Sequence, residues 1–415
     1  AAPWLFVSDL HVNPRNHSTT PAGAGYDTNP ALLSAAIAEM KRVDPHPPVI
    51  VLGGDYLAHA FDWPRAADTM RDLARRFGAA FPHAQFVMAL GNEDSACGDY
   101  ALAPRSAFLR EVANAWAPLV NRRGAAPSFA AGFARDGFYT TTLPIAHTQA
   151  VVIDDVFWSP RYRPCGPAGN PAAATIAELR RALHAPGRHW IILHIPPGID
   201  AYSSAHLAHR LVVVPFLDAG PRDALLGAIA DPHAGVALVV AGHTHMFAYR
   251  IAGTPAHPVP VLLVPAISPI FRNAPAFLTA EVDPGGTLRD VEDHAFDGTR
   301  WHDLGGFDSL GVKGVSGAAL VDLQHRLDRD PALRARFAHL YDSGAPSEID
   351  ARSWPTYRCA AVVFTASAFR ACTDEGGVSV VTTRGILVFA LASLALAGAA
   401  GALVAYRLGR RRARS

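Results

Sequence analysis

Residues 87–100, VMALGNEDSACGDY, decide how this chain reads. An apolar run stops at Leu90, and Gly91, Asn92, Glu93 and Asp94 follow at once. That is the pattern of a buried strand delivering polar side chains to a site at its end. Asn92 is a candidate metal ligand, and Glu93 stands where a proton donor would be wanted.

The same junction recurs along the chain. It is seen in WLFVSD from Trp4, VIVLGGD from Val49, AVVIDD from Ala150, WIILH from Trp190, VALVVAGHTH from Val236 and VLLVPA from Val261. None of these runs alternates polar with apolar residues, so both faces of each strand should be covered. Helical patterns lie between them. In NPALLSAAIAEMKR, Asn29 suits the N-cap and Pro30 the first helical position, with Leu33, Ile37 and Met40 on one stripe. A second such pattern begins at Pro171. Strand and helix in alternation predict an α/β domain over residues 1–300. An amphipathic, helical segment with a linker is expected over 301–384.

The chain has 415 residues, of which 50% are hydrophobic and 18% charged, with net charge +1, and nothing in that balance marks a nucleic-acid-binding module. Residues 385–406, GILVFALASLALAGAAGALVAY, carry no charge. As a helix they would reach roughly 33 Å, enough to cross a bilayer. The basic tail 407–415, RLGRRRARS, then places that end in the cytoplasm and the large N-terminal part in the periplasm or another extracytoplasmic space. The opening AAPWLFVSD fits a mature end after signal-peptide removal, and an arbitrary start fits equally. Cys97, Cys165, Cys359 and Cys372 suit an oxidising compartment. Of the three possible connectivities, Cys359 with Cys372 and Cys97 with Cys165 is the one expected.

The polar residues at the strand ends are Asp9, His11, Asp55, Asn92, His194, His243 and His245. All are nitrogen or oxygen donors, and together they can hold two divalent cations. Asp55 is the natural bridge. Asp9, His11 and His245 would complete one position, and Asn92, His194 and His243 the other. Two cations about 3.5–4 Å apart activate a shared water and neutralise the charge of a phosphoester.

The blocks SDLH, GGD, LGNED, LHIPPG and AGHTH resemble the signature blocks of the calcineurin-like metallophosphoesterases. GGDYLAHAFDW, GNEDSACGDY, HIPPGIDAYSS, ISPIFRNAPAF and YRCAAVVFTASAFRAC are similar to its acid sphingomyelinase-like branch, which includes endopolyphosphatases. The resemblance implies a four-layer α/β/β/α sandwich with a small helical C-terminal segment. It also implies two divalent ions, zinc first with manganese or iron as alternatives. The implied activity is hydrolysis of phosphoric esters, as in a phosphodiesterase, by attack of a metal-bridging hydroxide.

The family's third block normally reads GN followed by His, and Glu93 stands in that place here. Beside two dications Glu93 should be ionised and a poor donor near neutral pH. The branch places a histidine four residues after the bridging aspartate, which is His59, a suitable general acid. Glu93 would then orient water, substrate or His59. Asn92, Tyr202 and Asn273 are candidate substrate contacts. Three readings follow: a bilayer-anchored phosphodiesterase, a polyphosphatase drawing on Arg15, Arg161, Arg163, Arg210 and Arg272, or a metal-binding scaffold without catalysis.

Overall fold

The structure, a computed structural model, describes residues 3–61, 63–206 and 212–375. Along it the strands are β1 (Trp4–Val7), β2 (Val49–Leu52), β3 (Gln85–Met88), β4 (Ala101–Leu102), β5 (Tyr139–Thr142), β6 (Thr148–Val152), β7 (Arg163–Pro164), β8 (Arg188–Ile192), β9 (Val236–Ala241), β10 (Ala248–Thr254), β11 (His257–Leu263), β12 (Ala276–Val282), β13 (Leu288–Phe296) and β14 (Trp301–Gly306). They form one sheet in the order β14-β13-β12-β1-β2-β3 and a second in the order β10-β11-β9-β8-β6-β5, with β4 and β7 paired apart. β1, β2 and β3 run parallel, as do β11, β9, β8 and β6. Antiparallel strands extend both sheets outward.

The parallel strands are mainly apolar because their central residues are covered on both faces. β1, β2 and β3 are buried at every residue. The two sheets pack face to face. The Trp4 and Trp190 rings lie 5.2 Å apart across the interface. The Met88 N–H donates to the Tyr139 hydroxyl, which donates back to the Met88 carbonyl.

Helices cover the outer faces. On the first sheet lie α1 (Pro30–Val43), α2 (Ala66–Ala80) and α3 (Ala107–Val120), with Trp116 of α3 packed on Phe86 of β3. The short α4 (Phe129–Asp136) packs on α3. Over the second sheet lie α5 (Ala172–Leu183), α6 (Ala201–His206) and α7 (Ala219–Ala230). They are joined there by α8 (Gly317–Arg329), α9 (Pro331–Tyr341), α10 (Trp354–Val362) and α11 (Ala366–Glu375). As expected, Asn29 caps α1: its side chain accepts the Leu32 N–H at 2.9 Å.

One boundary differs from expectation. The first sheet does not end at residue 300, because Trp301–Gly306 pairs with β13. His302, Asp303 and two glycines dilute its apolar pattern, so no strand marks it off from the helical segment expected from residue 301. Both expected disulfides form, Cys97–Cys165 and Cys359–Cys372. The apolar segment 385–406 and the tail 407–415 lie outside the described residues. Among the described residues no helix is long and apolar enough to cross a membrane.

Candidate metal centre

The seven candidate ligands come together. Asp9 and His11 follow β1, Asp55 follows β2, Asn92 follows β3, His194 follows β8, and His243 and His245 follow β9. These parallel strands open their C-terminal ends onto one crevice. The turns there are sharp. Asp9 (φ 50°), His11 (φ 40°), Asp55 (φ 53°), His243 (φ 68°) and His245 (φ 63°) all take left-handed backbone conformations. Such strain persists only where the surrounding fold over-determines it. Glycine makes the close approach possible: a Cβ on Gly91 would collide with the Asp55 carboxylate, and one on Gly242 with the Ser8 hydroxyl.

Two triads result. The ligand atoms of Asp9, His11 and His245 lie within 4.8 Å of one another, and so do those of Asp55, His194 and His243. Asp55 joins them, with Oδ2 3.5 Å from His11 Nε2 and 3.2 Å from His194 Nε2. His11 Nδ1 donates to the Leu57 carbonyl at 3.0 Å and His194 Nδ1 to the Gly53 carbonyl at 2.7 Å. Those bonds leave both Nε2 atoms turned into the cluster, the usual support for metal-binding histidines. Asn92 is oriented in the same way. Its Nδ2 donates to Asp99 Oδ1 at 2.8 Å, and its Oδ1 lies 3.2 Å from His194 Nε2. Arg161 holds Asp99 Oδ2 at 3.0 Å and lies over the Tyr100 ring, whose hydroxyl is 3.3 Å from His243 Nε2.

The electrostatics call for cations. Burial would lift Asp9, but His245, His11 and His194 bring it down to about 2. Asp55 falls below the usual carboxylate range for the same reason: burial opposes, and His194 and His11 prevail. Burial holds His243 and His245 down at about 3, so both are neutral donors. Burial also disfavours a proton on His194, but Asp55 and Asp9 raise it to about 10. A proton on His194 thus supplies the positive charge that the two carboxylates need, and a divalent cation would displace it. The nitrogen and oxygen donors of each triad fit a divalent ion.

Beside the triads, His59 stacks on His11 with ring centroids 4.3 Å apart. Its Nδ1 bonds Asp27 Oδ1 at 2.9 Å, and its Nε2 is 4.0 Å from Glu93 Oε1. Burial opposes its proton, but Asp27, Glu93 and Asp55 push His59 up to about 9. With no cation charge beside it, Glu93 is pushed up to about 8 by burial and by Asp55 and Asp99; the ionised form expected from sequence belongs to the cation-loaded site. Its N–H bonds Asp55 Oδ1 at 2.8 Å, so Glu93 also holds the bridging carboxylate.

The other two candidates belong to neither triad. Tyr202 is half-exposed on α6 and belongs to neither triad. Asn273 is buried, and its Nδ2 donates to the Ser268 and Ala274 carbonyls, which ties a turn. Asp27, Asp99, Tyr100 and Phe271 were not singled out from sequence as functional residues. Phe271 packs its ring edgewise on His245, centroids 4.5 Å apart.

Residues 2–247 match the family model described as calcineurin-like phosphoesterase. Among curated proteins, the sphingomyelinase phosphodiesterase D of Dictyostelium discoideum is 25% identical over 275 residues, 61% of this chain and 56% of that protein. The chain therefore spans little more than half the length of that relative. Among solved structures, one from Staphylococcus aureus assigned as a 5′-nucleotidase has a TM-score of 0.38 at 12% identity, covering 69% of this chain and 52% of its own. A 5′-nucleotidase precursor from Thermus thermophilus has a TM-score of 0.37 at 13% identity, covering 79% and 59%. The matched span carries all seven candidate ligands, and the chain belongs to the calcineurin-like phosphoesterase family.

Proposed function

We propose that this protein is a metal-dependent phosphodiester hydrolase with two cations, acting outside the cytosol. The observation that carries the reading is Asp55 Oδ2, shared at 3.5 Å and 3.2 Å between the histidines of the two triads. Asp9, His11 and His245 would hold one ion and Asn92, His194 and His243 the other, with Asp55 on both. Bound there, two divalent cations, zinc by family resemblance, lower the pKa of a water and offset the charge of the phosphate.

The chain's own residues supply the rest. Hydrolysis replaces the phosphorus–oxygen bond to the leaving alcohol with a bond to the oxygen of water. His59, held protonated by Asp27, gives its proton to the departing oxygen. Glu93 fixes Asp55 through its N–H and faces His59. The likeness to the Dictyostelium protein named a sphingomyelinase phosphodiesterase supports a diester substrate. The apolar run 385–406 and the arginines after it support attachment to a bilayer with the catalytic domain on the extracytoplasmic side.

The test is metal analysis together with hydrolysis of bis-p-nitrophenyl phosphate under zinc and manganese. The expected result is two ions per chain and turnover. Asp55→Asn should remove at least one ion and lower kcat/KM by about a thousandfold, the scale of several kcal/mol of lost charge stabilisation. Two bound ions with no cleavage of any ester or anhydride would leave a metal-binding scaffold instead.

A further inference from the structure

The mouth of the metal centre is chemically asymmetric. On the side of Asp55, His194 and His243 it is bordered by Arg161, an exposed cation lying 4.2 Å over the Tyr100 ring. On the side of Asp9, His11 and His245 it is bordered by Phe271. That ring is 56% exposed, yet it is not loose. It meets His245 at 4.5 Å and 69°, and His59 at 5.9 Å and 82°. The turn that presents it is tight: the Arg272 N–H bonds the Pro269 carbonyl at 3.0 Å, and Arg272 takes φ 70°. The same carbonyl accepts the Gly25 N–H at 2.8 Å, which joins the neighbouring loop to this turn. Next on that loop is Tyr26, a second aromatic ring, 67% exposed.

A large apolar ring kept half in water, on a strained turn, against both a metal ligand and the proton donor is poorly explained by packing. We propose that Phe271 is a binding subsite for a flat, apolar substituent that the phosphorus carries on the His59 side. The inference rests on the phosphoester reading of the metal centre. With the phosphate held by the two ion positions and the leaving oxygen directed at His59, the group attached to that oxygen must pass along the Phe271 ring. An aromatic wall there favours ring-bearing substituents by offset or edge-to-face contact. A small alkyl group would leave the wall wet. Phe271 therefore sorts substrates by leaving group, and it does no chemistry itself.

The test uses the metal-loaded full chain and three ligands that are not hydrolysed: inorganic phosphate, methylphosphonate and phenylphosphonate. Binding of each is followed by calorimetric titration. In the unmodified protein phenylphosphonate should bind about tenfold tighter than methylphosphonate, the scale of one good aromatic contact. Phe271→Ala should bring that ratio close to one while leaving the phosphate affinity unchanged, and Phe271→Trp should keep the preference. A ratio unchanged in Phe271→Ala overturns the subsite. So does an equal loss for all three ligands, which would make the ring a prop for His245. Loss of binding to phospholipid vesicles with the ratio intact would also overturn it and assign the ring to a membrane surface. Because binding is read apart from turnover, a protein that binds phosphonates selectively but cleaves nothing sinks the hydrolase reading and leaves the subsite standing.

Discussion

His59 shows how a single side chain acquires a role that its neighbours in sequence do not announce. It lies four residues after Asp55, but its proton is held by Asp27, 32 residues away along the chain. Asp27 raises the His59 pKa, so its removal must lower it. In Asp27→Asn the acid form is lost at lower pH, and the basic limb of the kcat profile should move down by about one unit while the acidic limb stays put. A pH–rate profile checks this, and an unmoved basic limb would remove His59 as donor. Asp99 plays a matching part for Asn92. Without its carboxylate the amide can rotate, so Asp99→Ala should weaken one of the two ions about 10–100-fold and spare the other, as read by metal titration. Neither aspartate was legible as a participant. The ligands follow apolar runs, which marks them, whereas Asp27 sits in an irregular loop before α1 and Asp99 in a turn closed by Cys97–Cys165. Phe271 lay in a noted segment, but exposure of a phenylalanine cannot be read from its neighbours.

At the scale of elements, α1 does more than cover the sheet. Asn29 caps it through Leu32 N–H, accepts the Ala22 N–H at 3.1 Å and donates to the Thr20 carbonyl at 2.8 Å. The cap thus pins the loop that carries Asp27. Asn29→Ala should cost about 1 kcal/mol in stability, measured by denaturant unfolding, and should also lower kcat through the loosened Asp27. A stability loss with unchanged kcat would separate the two roles. The parallel strands and α1 were plain from pattern, since uninterrupted apolar runs and a capped, amphipathic stretch each have one reading. β12, β13 and β14 were not. β13, LRDVEDHAF, mixes charges into an antiparallel strand that is polar on part of its outer side, and no apolar run flags it.

For the molecule as a whole, the candidate ligands divide between the sheets. Asp9, His11, Asp55 and Asn92 come from the first, and His194, His243 and His245 from the second. Cations held by both bind the folded state alone and should stabilise it by mass action. Removing them with a chelator should lower the melting temperature by about 5 °C or more, and re-addition of zinc or manganese should restore it. A melting temperature indifferent to chelation would mean that the two sheets do not share the ions. The sheets also differ in how the chain supplies them. All strands of the second lie in one continuous stretch, Tyr139–Leu263, while the first is split between Trp4–Met88 and Ala276–Gly306. A growing polypeptide can therefore finish the inner stretch early, yet β1 keeps one naked edge until β12 is made. Nascent or prematurely terminated chains would carry that sticky ribbon into the open, so synthesis of this protein has its moment of greatest aggregation hazard just before Ala276–Gly306 emerges.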